Sequence, residues 1–116
     1  MSKDWTAYAR HILDAAAKLD QIQARGDLAI DPILYDAALR NLQTLSEATQ
    51  RLPEEQKKKF PAIPWRQIGG FRNILVHNYL GDIDPETVRL VLQIQLPLLV
   101  SAVRTMLTRN MLDPGK

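Results

Sequence analysis

Cysteine is absent from this 116-residue chain, which excludes a disulfide framework, a thiol nucleophile and every cysteine-based zinc site. Histidine is almost absent too. His11 and His77 are the only two, too few for a multi-histidine metal centre within one chain, so no metal or other cofactor is expected. Long apolar runs are also missing, since stretches such as Leu96–Val100 span only a few residues, and no membrane span is expected. The segment Met1–Trp5 turns amphipathic at once instead of opening an apolar signal stretch, so the expected setting is the cytoplasm. Charge of one sign is scarce: 15 Lys and Arg against 13 Asp and Glu leave a net +2, far from the dense basic footprint of a duplex-DNA binder. Such a balance permits an RNA or nucleotide partner without requiring one.

What the chain does contain is a globular mixture, 46% apolar and 24% charged, at a length suited to one domain covering residues 1–116. Helical periodicity dominates it. From Asp4 to about Arg25, the positions Trp5, Tyr8, Ile12, Ala15 or Ala16, Leu19 and Ile22 fall on one face, and the helix is expected to stop at Gly26. Asp31-Pro32 starts a second helix, with Asp31 as N-cap and Pro32 in its first turn. Its stripe is Leu34, Ala38, Leu42 (or Asn41), Leu45, Ala48 and Leu52. A short polar helix follows Pro53, and Pro61 and Pro64 bracket an extended connector. Trp65 opens a third major helix running towards Tyr79. The last helix runs from Pro85 to about Leu107, where Pro97 removes one backbone hydrogen bond and should kink it. No strand alternation is visible. The expected fold is all-α, an up-down bundle of four to five helices.

Few residues can carry chemistry. Gly69-Gly70 lacks the spacing of a phosphate loop and reads as a place of close helix approach, within the bundle or across a dimer. Lys57-Lys58-Lys59 reads as a solvated helix end, Asp84 as a helix cap and Asp82 as a turn residue. Ser46 and Ser101 have no base nearby in sequence, and no serine triad is supported. His11, beside the apolar stripe of the first helix, reads as packing or solvent-facing. His77 has different company. Residues 70–79 place Arg72, Asn73, His77, Asn78 and Tyr79 in an otherwise apolar segment. Asn73 and His77, four apart, share a helix face, whereas Arg72 and His77, five apart, lie about 140° apart around the helix. They converge only if the arginine wraps round or the helix loosens near Asn78. A histidine that passes protons beside a guanidinium that binds phosphate could cleave RNA by activating a 2′-OH. On spacing alone, a buried structural His–Asn network explains the same residues.

The stretch from Ile63 to Asp84, with Arg72-Asn73, then His77 and Tyr79, resembles the signature of the HepT-like family of HEPN-domain toxins. That signature carries Arg, a polar residue, three variable residues, His, any residue, then Tyr. Asn41–Ala48 resembles the family's second-helix signature, with Ser46 in place of its usual glycine before Glu47-Ala48, and Pro97 falls where the family tends to have a proline. The resemblance covers essentially the whole chain. It implies a bundle that homodimerises around a shared cleft and a metal-independent ribonuclease acting as the toxin of a type VII toxin–antitoxin pair. Arg72 and His77 become catalytic, with Asn73 and Glu47 supporting. The implied partner, besides RNA, is a small nucleotidyltransferase of the MNT class, which would silence the toxin by transferring AMP to Tyr79; otherwise Tyr79 is a core-edge tyrosine with a wet hydroxyl. The alternative is a non-catalytic helical module that docks the nucleotidyltransferase through the same segment.

Overall fold

The computed structural model describes residues 4–78 and 83–112, with side chains described for all of these except 74–78. Five helices make it up, and no strand occurs among the described residues. They are α1 (Trp5–Arg25), α2 (Pro32–Thr49), the short α3 (Glu54–Lys57), α4 (Trp65–Asn78) and α5 (Pro85–Leu112). The all-α bundle follows from the periodicity, and so do its boundaries. The Asp31 carboxylate accepts hydrogen bonds from the amides of Ile33 (2.9 Å) and Leu34 (3.4 Å), and that of Asp84 accepts from the Glu86 amide at 3.0 Å. In both, the proline that follows occupies the first turn, where no intrahelical donor is needed. Asp4 caps α1 by the same means, accepting from the Thr6 amide at 3.0 Å. Hydrogen bonding from Thr6 lowers its carboxyl pKa below the ordinary value.

α2 lies between α1 and α4, and α1 also packs against the second half of α5. The stripes read from the sequence meet at the centre: Ile12 and Leu19 of α1, Ala38 and Leu42 of α2, and Val88, Leu92 and Val103 of α5 are all buried. Tyr35, Leu39, Ser46 and Thr49 are buried as well and widen the α2 stripe, as expected of a helix covered on two sides. α4 enters at a fixed point. The Trp65 indole N–H is shared between the carbonyls of Lys57 and Phe60, both at 3.1 Å, so Trp65 ties the end of α3 to the first turn of α4 within one chain.

Three details go beyond what the sequence shows. α1 stops at Gly26 as expected, with the glycine extended (φ 164°); a Cβ there would lie 3.0 Å from Leu34 Cδ1. Pro97 is met by a π-helical turn over Val91–Gln95, in which the Leu96 amide reaches back to the Val91 carbonyl. The wider turn eases the clash of the proline ring with the preceding turn, and the helix continues to Leu112. The joined helix is 28 residues long and contains an 18-residue stretch of mean hydropathy 1.6, enough by length and composition to cross a membrane. The short apolar runs concealed this because isolated glutamines interrupt them. In the bundle the Val88–Leu92–Leu96 side of that helix is core.

The segment returning from α4 is anchored from afar: the buried Tyr35 hydroxyl donates to the Ile83 carbonyl. Tyr35→Phe leaves that carbonyl short of a partner, at a cost of about 1–3 kcal/mol. A thermal melt should show Tm lower by roughly 4 °C per kcal/mol; an unchanged Tm would show the bond to be dispensable.

Candidate active site

α4 carries a glycine where it meets the end of α2. A Cβ on the buried Gly69 would come within 3.2 Å of Gln50 Cγ, and the Gln50 side-chain amide donates to the Gly69 carbonyl at 2.7 Å. Three residues back along α2 and three forward along α4, the Glu47 carboxylate accepts from Arg72 Nε at 3.1 Å. Equal steps in opposite senses mean that the helices run antiparallel here, with both contacts on one seam. Of the glycine pair, Gly69 makes the close approach within the bundle, while a Cβ on Gly70 would meet nothing within 4 Å.

The Arg72–Glu47 pair is part-buried, with side-chain exposures of 38% and 46%. In such a setting an ion pair contributes about 0–1 kcal/mol to stability. Its consequence is orientation. With Nε on Glu47 and one terminal nitrogen 3.4 Å from Asn73 Oδ1, the guanidinium is held while the rest of its donor fork remains for an anion. The structure thus brings together Arg72, Asn73 and Glu47. His77 is on the last turn of α4, which stays helical through Asn78; its side chain is outside the described residues. Tyr79 and Asp82 lie outside the described residues altogether.

Ser46, the departure from the glycine of the motif, is 1% exposed, and its hydroxyl finds no hydrogen-bond partner among the described residues. It lines a half-open, largely apolar pocket of about 300 Å³ with Phe71 and Leu99. Glu47, one residue on, instead faces an open groove of about 570 Å³ that also includes Arg72, Arg51, Tyr8 and His11. His11, set aside in the sequence, is therefore a neighbour of Arg72 across α1 and α2. The signal for it was present only in three dimensions, because Tyr8 and His11 on α1 and Arg51 past the end of α2 share no sequence motif. Among the described residues no group of three or more His, Asp or Glu side chains is placed to hold a metal ion. The Lys57 ammonium is taken up by Glu54 at 3.0 Å, which leaves the lysine run as a helix end.

The family model described as "Ribonuclease HepT-like" matches residues 12–106. The chain belongs to the ribonuclease HepT-like family. Among its relatives is "Putative RNase TTE0752" of Caldanaerobacter subterraneus subsp. tengcongensis, 36% identical over 78 residues, which cover 64% of this chain and 69% of that protein. "Putative RNase MJ0127" of Methanocaldococcus jannaschii is 33% identical over 84 residues, 68% of each chain. "Probable ribonuclease HepT" of Thermococcus cleftensis is 34% identical over 55 residues, 47% of this chain and 50% of its own. No solved structure matches. The HepT-like match runs from α1 into α5 and includes Glu47, Arg51, Arg72, Asn73 and His77, but neither Tyr8 nor His11.

Proposed function

We propose that this HepT-like chain is a metal-independent endoribonuclease in which Arg72 binds the scissile phosphate and His77 moves the proton. The observation that carries the proposal is the Glu47–Arg72 pair on the α2–α4 seam, in a chain that belongs to a ribonuclease family. In the reaction, His77 takes the proton of a ribose 2′-OH, the oxygen attacks the neighbouring phosphorus, and the bond to the 5′-oxygen of the next nucleotide breaks. A proton delivered to that oxygen completes the step and leaves a 2′,3′-cyclic phosphate. The fork of Arg72 stabilises charge that builds on the phosphoryl oxygens, and Glu47 and Asn73 are positioning residues for it. Purified protein incubated with RNA in EDTA should cleave it, and Arg72→Ala or His77→Ala should lower the rate at least about 100-fold. Cleavage by His77→Ala at the wild-type rate would contradict the assignment.

In the cell the proposed role is that of a toxin paired with an MNT-class nucleotidyltransferase antitoxin. AMP transferred to Tyr79, two residues past His77, would place a bulky anion where RNA phosphates must enter. The intact mass of the protein co-expressed with that enzyme reads this directly.

The functional unit is proposed to be a homodimer, in which two copies of a sparse Arg/His site face one cleft. An exposed apolar stripe supports it: Leu90, Ile94 and Leu98, four apart on α5, are 50%, 57% and 53% exposed. Ile94→Glu, at a position more than half exposed, should convert a dimer into a monomer by light scattering. A wild-type chain that is monomeric at micromolar concentration would contradict the reading.

A further inference from the structure

The groove beside Arg72 extends beyond the residues that the cleavage step uses. On α1 it is walled by Tyr8 and His11, and past the end of α2 by Arg51. The Arg51 guanidinium lies over the Tyr8 ring, 5.9 Å from its centroid, and the ring centroids of Tyr8 and His11 are 6.3 Å apart with planes inclined by 46°. Three chemically distinct groups thus form one continuous surface along the groove wall. Tyr8 is half-buried against the core, so its ring is fixed, whereas His11 and Arg51 are exposed.

The charges are one-sided. Among the described residues no carboxylate lies within ion-pair distance of Arg51 or His11. The one carboxylate lining the groove, that of Glu47, is engaged by Arg72. A purely structural clasp between α1 and α2 would need only the aromatic–guanidinium contact. It would not call for an unpaired cation, an imidazole and an open groove on the size scale of ligand clefts. An immobilised aromatic face with a free guanidinium and a hydrogen-bonding imidazole beside it is the equipment for an unstacked nucleotide. Bases stack on the ring or on the guanidinium plane, and phosphate oxygens take the guanidinium's donors.

We infer that Tyr8, His11 and Arg51 form a binding subsite for the nucleotide that flanks the scissile phosphate of single-stranded RNA. Tyr8 stacks on the base, and Arg51 and His11 hold the adjoining phosphate. The inference rests on the ribonuclease reading for the location of the scissile phosphate at Arg72. It assigns the chain a second element of substrate recognition on α1, outside the Arg-x4-His segment and, for Tyr8 and His11, outside the stretch matched by the family model.

The test uses two probes. Binding is read by fluorescence anisotropy with a fluorescein-labelled 2′-O-methyl hexaadenylate, which has no 2′-OH to attack, and cleavage is followed on hexaadenylate itself. Tyr8→Leu keeps apolar contact with the core and Tyr8→Phe keeps the ring; thermal melts of both confirm folding. Tyr8→Leu and Arg51→Gln should each weaken binding about ten-fold and raise KM with kcat within about two-fold, whereas Tyr8→Phe behaves as wild type. Arg51→Gln should also reduce the slope of log affinity against log salt by about 0.7, one phosphate contact on a single strand. If Tyr8→Leu and Arg51→Gln bind and cleave as wild type while Arg72→Ala fails to cleave, the subsite is wrong and the ribonuclease reading stands. If wild type binds the probe through Tyr8 and Arg51 but cleaves nothing, the subsite stands and the catalytic reading falls. Equal loss in Tyr8→Phe and Tyr8→Leu, or no binding by wild type, overturns the subsite.

Discussion

The α2–α4 seam sets the site: α4 meets the end of α2 at Gly69, and Arg72 meets Glu47 three residues further along. At that crossing the seam is close enough for the Gln50 amide to bond the Gly69 carbonyl at 2.7 Å, and one turn further the guanidinium and carboxylate meet at 3.1 Å. A Cβ at Gly69 would come within 3.2 Å of Gln50 Cγ, so the Gln50 side chain would have to give by a few tenths of an ångström. The ion pair itself adds little to stability, being more than a third exposed at both ends. Stability comes from the stripes of α1, α2 and α5, and the seam uses that rigidity to hold one guanidinium in a defined orientation. The anchors around it act in the same sense: Trp65 sets where α4 begins, and Tyr35 holds the chain that returns to α5.

Much of this was legible in the residues, for definite reasons. Asp31-Pro32 and Asp84-Pro85 are local signals, each complete within three residues, and both start helices as expected. The stripes of α1 and α2 are periodic over five turns or more, which made the all-α bundle readable without any tertiary information. The resemblance of residues 63–84 and 41–48 pointed to Arg72 and Glu47 although 25 positions separate them, a link that periodicity alone could not make.

What was illegible depends on distance in space. His11 read as an idle edge residue, because its relation to Arg72 is created by the packing of α1 on α2 and leaves no mark in local spacing. Gly26 ends α1 as its sequence implies, but its closeness to Leu34 leaves no local mark. The effect of Pro97 could be read as a broken bond, but its accommodation in a π turn depends on how Val91–Gln95 settles against the rest of the bundle. Ser46 stands at a glycine position of the motif and buries an unpartnered hydroxyl, a local inconsistency of the kind found where a fold serves a site.

In the proposed mechanism Glu47 acts on RNA only through Arg72. A double-mutant cycle in kcat/KM for RNA cleavage, with Glu47→Ala, Arg72→Ala and both together, measures that dependence directly. The expected result is strong non-additivity. Glu47→Ala should cost roughly ten-fold in the wild-type background, as befits an orienting contact to a catalytic group, and nothing more once Arg72 is alanine. Equal losses from Glu47→Ala in the two backgrounds would contradict the account, since the carboxylate would then act independently of the guanidinium that it holds.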